Sequence, residues 1–277
     1  MGKPKKDSLG DRMKGYENIS RNYLTRKIPV IIRLDGKAFH TFTRGMDKPF
    51  DRTLMSVMQK TMKKLCEEIQ GCVFGYTQSD EITLVLTDYA TIQTDAWFGY
   101  NVQKMASVAA SIATLEFNKI FRKEFESSMM DYVDSVGDEQ YRKRMELMFD
   151  KQFKAVFDAR CFNIPKDEVC NCLVWRQQDA TRNSIEAVGQ ANFSHSQLHG
   201  KSCNMIQEML WQEKNINWND FPTDCKRGSA CYRVEREVEM DNPRNHGEII
   251  TVSRRQWEID TDIPIFSQVR VFVERFL

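Results

Sequence analysis

Three observations predict an α+β protein built on a ferredoxin-like βαββαβ core. Apolar, β-branched or aromatic runs of strand length lie at 30–34, on either side of a polar turn within 72–86, and at 155–164. Helical apolar spacing fills 54–69, and a stretch rich in small residues runs through 97–121. The order is therefore strand, helix, strand, strand, helix, strand. In that motif an antiparallel sheet carries two helices on one face, with the first and third strands as central neighbours.

The 277 residues suffice for one large domain or two ordinary ones with a real core. With 41% hydrophobic and 29% charged residues the chain reads as soluble and globular. No apolar run approaches bilayer length, and the start Met1-Gly2-Lys3-Pro4-Lys5-Lys6-Asp7 has no apolar region behind it, so a cytoplasmic protein with no membrane partner is expected. Eight cysteines without a Cys-x-x-Cys pair read as reduced, mostly buried thiols. A net charge of +1 carries no global signal for nucleic acid. Arg142-Lys143-Arg144, Lys226-Arg227 and Arg254-Arg255 are local basic patches, each more often a solvated face than a phosphate track.

Residues 1–26 are polar, with room for one short helix at 10–17. Pro29 opens the first strand and Asp35-Gly36 closes it. Residues 37–42 form a tight, aromatic-bearing segment and 45–49 a loop. Asp51 or Thr53 caps a helix that runs to about Gln70. Its positions Leu54, Val57, Met58, Met62, Leu65 and Ile69 keep helical spacing until Gly71 stops it. After the hairpin, a helix begins near Thr94 or Asp95. Its small residues Ala106, Ser107, Ala109, Ala110, Ser111 and Ala113 allow close approach to a sheet. The charged, Met-rich stretch 122–151 is an irregular or helical excursion, and Pro165 closes the last core strand. Beyond it, 169–175, 176–185 and 200–211 read as helical, and 230–238 with 248–252 as a strand pair joined by a loop at 241–247. The expected division is a core domain at 1–165 and an α+β C-terminal domain at 166–277 packed on it.

The chemistry starts at the hairpin tip, where Asp80 and Glu81 occupy a turn that Asn-Gly would serve better. In the split motif the end of the first strand, with Asp35, falls at the same end of the sheet as Asp80. Asp35, the Gly36 carbonyl and Asp80 are then hard oxygen donors suited to Mg²⁺, which completes its shell with substrate phosphates. Two such ions would activate a hydroxyl and hold a triphosphate with its leaving pyrophosphate. The plain alternative makes Asp35-Gly36 a turn and Asp80 a cap; the topology favours the site.

Backbone amides along Gly36-Lys37-Ala38-Phe39-His40 can turn toward phosphate oxygens. No Walker loop exists, since Gly200-Lys201-Ser202 lacks its upstream glycine. Lys48 and Arg160 can neutralise a triphosphate, although each alone reads more readily as a surface cation. His40 lies within a few residues of the proposed ligands; a lone histidine after a strand is otherwise a structural group. His195, His199 and Cys203 have helical ligand spacing, but zinc needs a fourth group and Gly200 interrupts that face. Ser79 has no histidine near it in sequence, which removes a serine-hydrolase reading.

Five pieces in order, Arg33-Leu34-Asp35-Gly36-Lys37-Ala38-Phe39-His40-x-Phe42, Lys48-Pro49-Phe50-Asp51, Tyr76-x-Gln78-Ser79-Asp80-Glu81, Phe157-Asp158-Ala159-Arg160 and Trp175-Arg176-Gln177-x-Asp179, span about 28–182. In order and spacing they resemble the tRNA-histidine guanylyltransferase superfamily, and within it the Thg-like 3′-to-5′ RNA polymerase branch. The resemblance implies a palm-type catalytic domain that adds nucleotides to the 5′ end of tRNA. A 5′-monophosphate end is first adenylylated by ATP, and the 3′-hydroxyl of an incoming triphosphate such as GTP then attacks the activated phosphate. A 5′-triphosphate end skips activation.

The same resemblance implies two Mg²⁺ ions on Asp35, the Gly36 carbonyl and Asp80, with Glu81 in support. It further implies Lys48, Ser79 and Arg160 on the triphosphate, His40 near the nucleotide, and a homotetramer. Members that add guanosine to tRNA-histidine carry His-Ile-Asn-Asn-Leu-Tyr-Asn after the tryptophan motif. Ala180-Thr181-Arg182-Asn183-Ser184-Ile185-Glu186 stands there instead, which favours the branch similar to template-dependent 5′-end repair enzymes. A palm-fold nucleotide cyclase is disfavoured because no Gly-Gly-Asp-Glu-Phe type turn occurs. A non-catalytic RNA-binding module would display an Arg/Lys-Gly-Phe type aromatic pattern that is not found.

Overall fold

The computed structural model describes residues 8–132, 139–242 and 245–277. Strands β1 (Val30–Gly36), β2 (Cys72–Gln78), β3 (Glu81–Leu86), β4 (Phe157–Asn163), β5 (Ser229–Asn242) and β6 (Asn245–Asp260) form one sheet in the order β4-β1-β3-β2-β5-β6. All of its pairings are antiparallel. The helices are α1 (Leu9–Asn18), α2 (Phe39–Phe42), α3 (Arg52–Glu68), α4 (Val102–Tyr132), α5 (Glu139–Lys151), α6 (Lys166–Asn192), α7 (His195–Leu198), α8 (Cys203–Lys214), α9 (Thr223–Arg227) and α10 (Val271–Glu274). The first four strands with α3 and α4 make the expected βαββαβ core, β1 and β3 at its centre.

The period-2 alternation of a strand sorts the core into two layers. Val30, Ile32 and Leu34 of β1 and Ile82, Leu84 and Leu86 of β3 pack on one face with Val57, Met62 and Leu65 of α3 and Phe117 and Phe121 of α4. Ile31, Phe74, Tyr76 and Val85 pack on the other with Val169, Cys170 and Leu173 of α6 and with Phe266. Full burial of each such side chain contributes roughly 1.5–3 kcal/mol. A sheet covered on both faces explains why β1 reads as an unbroken apolar run.

Asp51, rather than Thr53, caps α3, accepting a hydrogen bond from the Leu54 amide at 2.9 Å. The next helix begins later than expected. Trp97–Tyr100 is a separate 3-10 turn containing left-handed Phe98 and Gly99, and Asn101 caps α4 through the Lys104 amide at 3.0 Å. The expected excursion at 122–151 is largely helix, as the end of α4 and as α5, whose Met145 and Met148 are buried. Its residues 133–138 lie outside the described residues.

The helical stretches expected at 169–175 and 176–185 are one helix, α6, because its apolar face continues through Ile185 and Val188 into a third cluster with Ile206 and Leu210 of α8. The C-terminal strand pair extends the same sheet, β5 pairing with β2 over Gly75, Tyr76 and Thr77. It also runs longer than its apolar segments, so the expected loop at 241–247 is mostly strand, with residues 243–244 outside the described residues. Exposed cross-strand charge pairs hide this ribbon from apolar patterning; Arg236 bonds Glu258 at 2.6 and 2.7 Å.

Among the described residues no helix is long and apolar enough to cross a membrane. All eight cysteines are free thiols, and five are buried: Cys66, Cys72, Cys170, Cys225 and Cys231.

Candidate active site

The end of β1 and the tip of the β2–β3 hairpin converge. Asp35 is the cross-strand partner of Glu81 on one side and of Asp158 on the other. The Gly36 amide donates to the Asp80 carbonyl at 3.1 Å and the Lys37 amide to the Val156 carbonyl at 2.8 Å. Gly36 is required by packing, since a Cβ there would sit 2.3 Å from the Phe39 ring. That ring stacks on Phe42 at 5.0 Å and meets Phe117 edge-on at 5.5 Å. Ala38 (φ 55°) and Ser79 (φ 50°) adopt left-handed backbone, the first turning the chain from β1 into α2 and the second closing the hairpin. With the Gly36 and Lys37 amides used by backbone partners, those of Ala38, Phe39 and His40 are, among the described residues, the ones left in this turn for a ligand.

Two adjoining cavities open here. The first, about 450 Å³, is lined by Asp35, Gly36, Ala38, Phe39, His40, Ser79 and Asp80. The second, about 260 Å³, is lined by Asp47, Lys48, Pro49, Phe50, Asp51, Gln78, Ser79, Asn183, Ser184 and Asp224 among others. Thr43, Leu54 and Ser79 are common to both walls.

The Ser79 hydroxyl donates to Asp80 Oδ1 at 3.1 Å. Burial pushes the Asp80 carboxyl up, and the charge of Asp35 pushes it further. Among the described residues neither acid has a cationic partner, so their repulsion is left for a bound cation to relieve. No group of three or more His, Cys, Asp or Glu is placed to share a metal ion among the described residues. Two carboxylates and a carbonyl suit Mg²⁺, which is held by one or two carboxylates and fills its shell with phosphate oxygens and water. The donor set therefore fits that ion.

Glu81, one residue on, serves a different neighbourhood. Its carboxylate sits 3.2 Å from Arg176 Nε and 3.9 Å from Arg33 Nε, and lines neither cavity. Burial, with the charges of Asp35 and Asp179, holds its carboxyl above the usual range although Arg176 and Arg33 pull it down. Arg176 also donates to Asp179 at 2.5 Å and lies 4.0 Å over the Trp175 ring. The tryptophan motif of α6 thus fastens the hairpin from behind. Its Gln177 secures the C-terminal segment, donating to the Pro264 carbonyl at 2.9 Å and accepting from the Phe266 amide at 2.8 Å.

The structure brings Asp35, Gly36, Ala38, Phe39, His40, Ser79 and Asp80 together and sets Lys48 on the second cavity. It leaves Lys37 exposed and outside both walls. Arg160 is also outside them, its side chain 52% exposed and paired with Asp158 at 3.3 Å. His195 and His199 stand with ring centroids 6.2 Å apart beside another depression.

Sequence reasoning missed Asn183, Ser184 and Asp224 as wall residues. Asp224 is held by Arg52 at 3.1 Å and Gln59 at 3.3 Å, contacts spanning 172 and 165 residues that no local pattern announces. The run 180–186, which departs from the His-Ile-Asn-Asn-Leu-Tyr-Asn pattern at every position but Asn183, was the available signal for Ser184.

The tRNAHis guanylyltransferase (Thg1) family model matches residues 10–165. The chain is similar to a solved bacterial tRNA(His) guanylyltransferase-like protein in complex with ATP, at 40% identity and TM-score 0.78, over 97% of this chain and 98% of that one. It is similar to such a protein in complex with GTP at 37% identity and TM-score 0.74, over 98% and 99%. A probable tRNA(His) guanylyltransferase of Dictyostelium discoideum is 25% identical over 223 residues, 76% of this chain and 77% of its own length.

Proposed function

The chain belongs to the tRNAHis guanylyltransferase family and is a nucleotidyltransferase, and from that premise we propose that it adds nucleotides in the 3′-to-5′ direction to the 5′ end of tRNA, as template-dependent repair. The observation that carries this reading is the meeting of Asp35 and Asp80, two carboxylates without a cationic partner among the described residues, on the wall of a cavity that adjoins a second one. The substrates are ATP, GTP and other nucleoside triphosphates, in keeping with the nucleotides in the two bacterial complexes.

Asp35, the Gly36 carbonyl and Asp80 would hold two Mg²⁺ ions, which when bound supply Lewis-acid activation of the attacking oxygen and charge neutralisation at the leaving phosphate. The chain's own residues bind and orient. Lys48 neutralises the triphosphate from the second cavity, and Ser79 faces it where the cavities meet. The Ala38, Phe39 and His40 amides offer donors to phosphate oxygens. The His40 side chain borders the same space, and Glu81, through Arg176, keeps the hairpin bearing Asp80 in place.

In the activating step the RNA 5′-phosphate displaces pyrophosphate from ATP. In the transfer step the 3′-hydroxyl of the incoming triphosphate attacks the activated 5′-phosphate and AMP leaves. Template dependence, rather than fixed guanosine addition, is supported by Ser184, which lines the second cavity and lies in a run that departs from the guanosine-adding pattern at every position but Asn183. A homotetramer working in the cytoplasm is part of the same reading, checked by light scattering and cell fractionation.

The test is incubation with Mg²⁺, labelled triphosphates and a tRNA lacking its first nucleotide, followed by sequencing of the 5′ ends. Extension that requires tRNA supports the proposal. Cyclic nucleotide formed without RNA, or binding without turnover, overturns it.

A further inference from the structure

We infer that Arg144 of α5 is a positioning residue for the nucleotide: it shapes the loop at 43–51 that walls the second cavity and offsets the two acids that loop brings there. The inference rests on the reading that the paired cavities take a nucleoside triphosphate.

The loop lacks regular structure over 47–51, so something outside it must fix its shape. Arg144 does so with one guanidinium reaching three acceptors. Its Nη1 bonds Asp47 and, at 3.2 Å, Asp51; its Nη2 donates to Thr53 Oγ1 at 3.1 Å. The planar fork of arginine suits this, where a lysine offers a point charge. Asp51 in turn caps α3 and accepts from the Asp47 amide at 3.2 Å, so the arginine closes a small network over the start of α3.

Two further contacts tie α5 to the same loop. A Cβ at left-handed Gly45 would lie 3.3 Å from the Leu147 side chain, so α5 packs directly on that turn. Lys151 donates to the Phe42 carbonyl at the end of α2 and lies 5.5 Å over the Phe42 ring. Buried Met145 and Met148 anchor α5 to the core between these contacts.

The electrostatic consequence follows from position. Asp47 and Asp51 line the second cavity beside Lys48. Uncompensated, the two carboxylates would oppose a triphosphate; paired to Arg144, they do not. Arg144 therefore acts on binding more than on the chemical step.

The test compares wild type, Arg144→Ala, Arg144→Lys, Asp47→Asn and the double variant R144A/D47N. Calorimetry measures the Kd for ATP with Mg²⁺, 5′-nucleotide addition gives KM and kcat, and each Tm is recorded. R144A is expected to raise Kd and KM about tenfold, at a kcat within about threefold of wild type. R144K is expected to restore only part. D47N alone supplies the reference corner of the cycle, and in the double variant it recovers part of the loss by removing a charge left unpaired, a coupling a mere structural brace would not show.

A wild-type KM in R144A, or a double variant no better than R144A, overturns the inference. Lys48→Ala and Asp80→Asn separate the two levels. If both weaken ATP binding while R144A does not, the inference alone falls. If neither does, the nucleotide reading falls, and the role of Arg144 with it.

Discussion

Asp80 and Glu81 are adjacent in sequence and occupy different environments. Asp80 sits in the turn, bordering a cavity that Asp35 also lines, with no cationic partner among the described residues. Glu81 is the first residue of β3, buried between Arg176 and Arg33. One step along a chain leaving a turn moves a side chain to a different surface, so two neighbouring acids need not share a function. Charge without a partner at a cavity wall points to a ligand; charge enclosed by arginines points to scaffolding.

Substitutions break that comparison at different strengths. Asp80→Asn should cost at least about a hundredfold in nucleotide addition. Its Tm should hold or rise, because the amide replaces a carboxylate that burial and Asp35 disfavour; near-normal turnover would remove Asp80 from the catalytic set. Glu81→Ala should show the opposite pattern, losing about 3 kcal/mol of stability in urea unfolding because Arg176 loses a buried partner. Adding Arg176→Met should recover part of that loss, and ATP affinity should stay close to wild type.

Lys48→Ala is a smaller perturbation. It should raise the KM for the triphosphate about tenfold with kcat nearly unchanged, read from steady-state kinetics. Arg160→Ala should have the smallest effect, less than about threefold on KM, because this exposed arginine pairs with Asp158 outside both cavities. A large effect there would mean that substrate reaches across β4.

Much of the core was legible because burial on both faces forces a simple pattern. Val30, Ile31 and Ile32 are apolar without alternation since α3 and α4 cover one side and α6 the other. Strand order then made the meeting of Asp35 and Asp80 foreseeable. The β5–β6 pair was legible at 230–238 and 248–252, but its full length was not, because the rest of its strand character lies among charged residues such as Arg236 opposite Arg254 and Glu235 opposite Arg255. Nor was the role of α5. Arg144 reaches acids 97 and 93 residues upstream, and a basic run in a charged stretch gives no hint of such partners. The split between Asp80 and Glu81 was implied by the resemblance, and its physical cause is the register, in which Glu81 pairs with Gln78 and with Asp35 while Asp80 stays in the turn.

In the function proposed here, a template base chooses the added nucleotide. The most direct measurement uses four 5′-truncated tRNAs that differ only in the base opposite the missing nucleotide, each incubated with Mg²⁺ and all four triphosphates before 5′-end sequencing. The added nucleotide is expected to change so that it complements that base in each tRNA. Guanosine added to all four would contradict it.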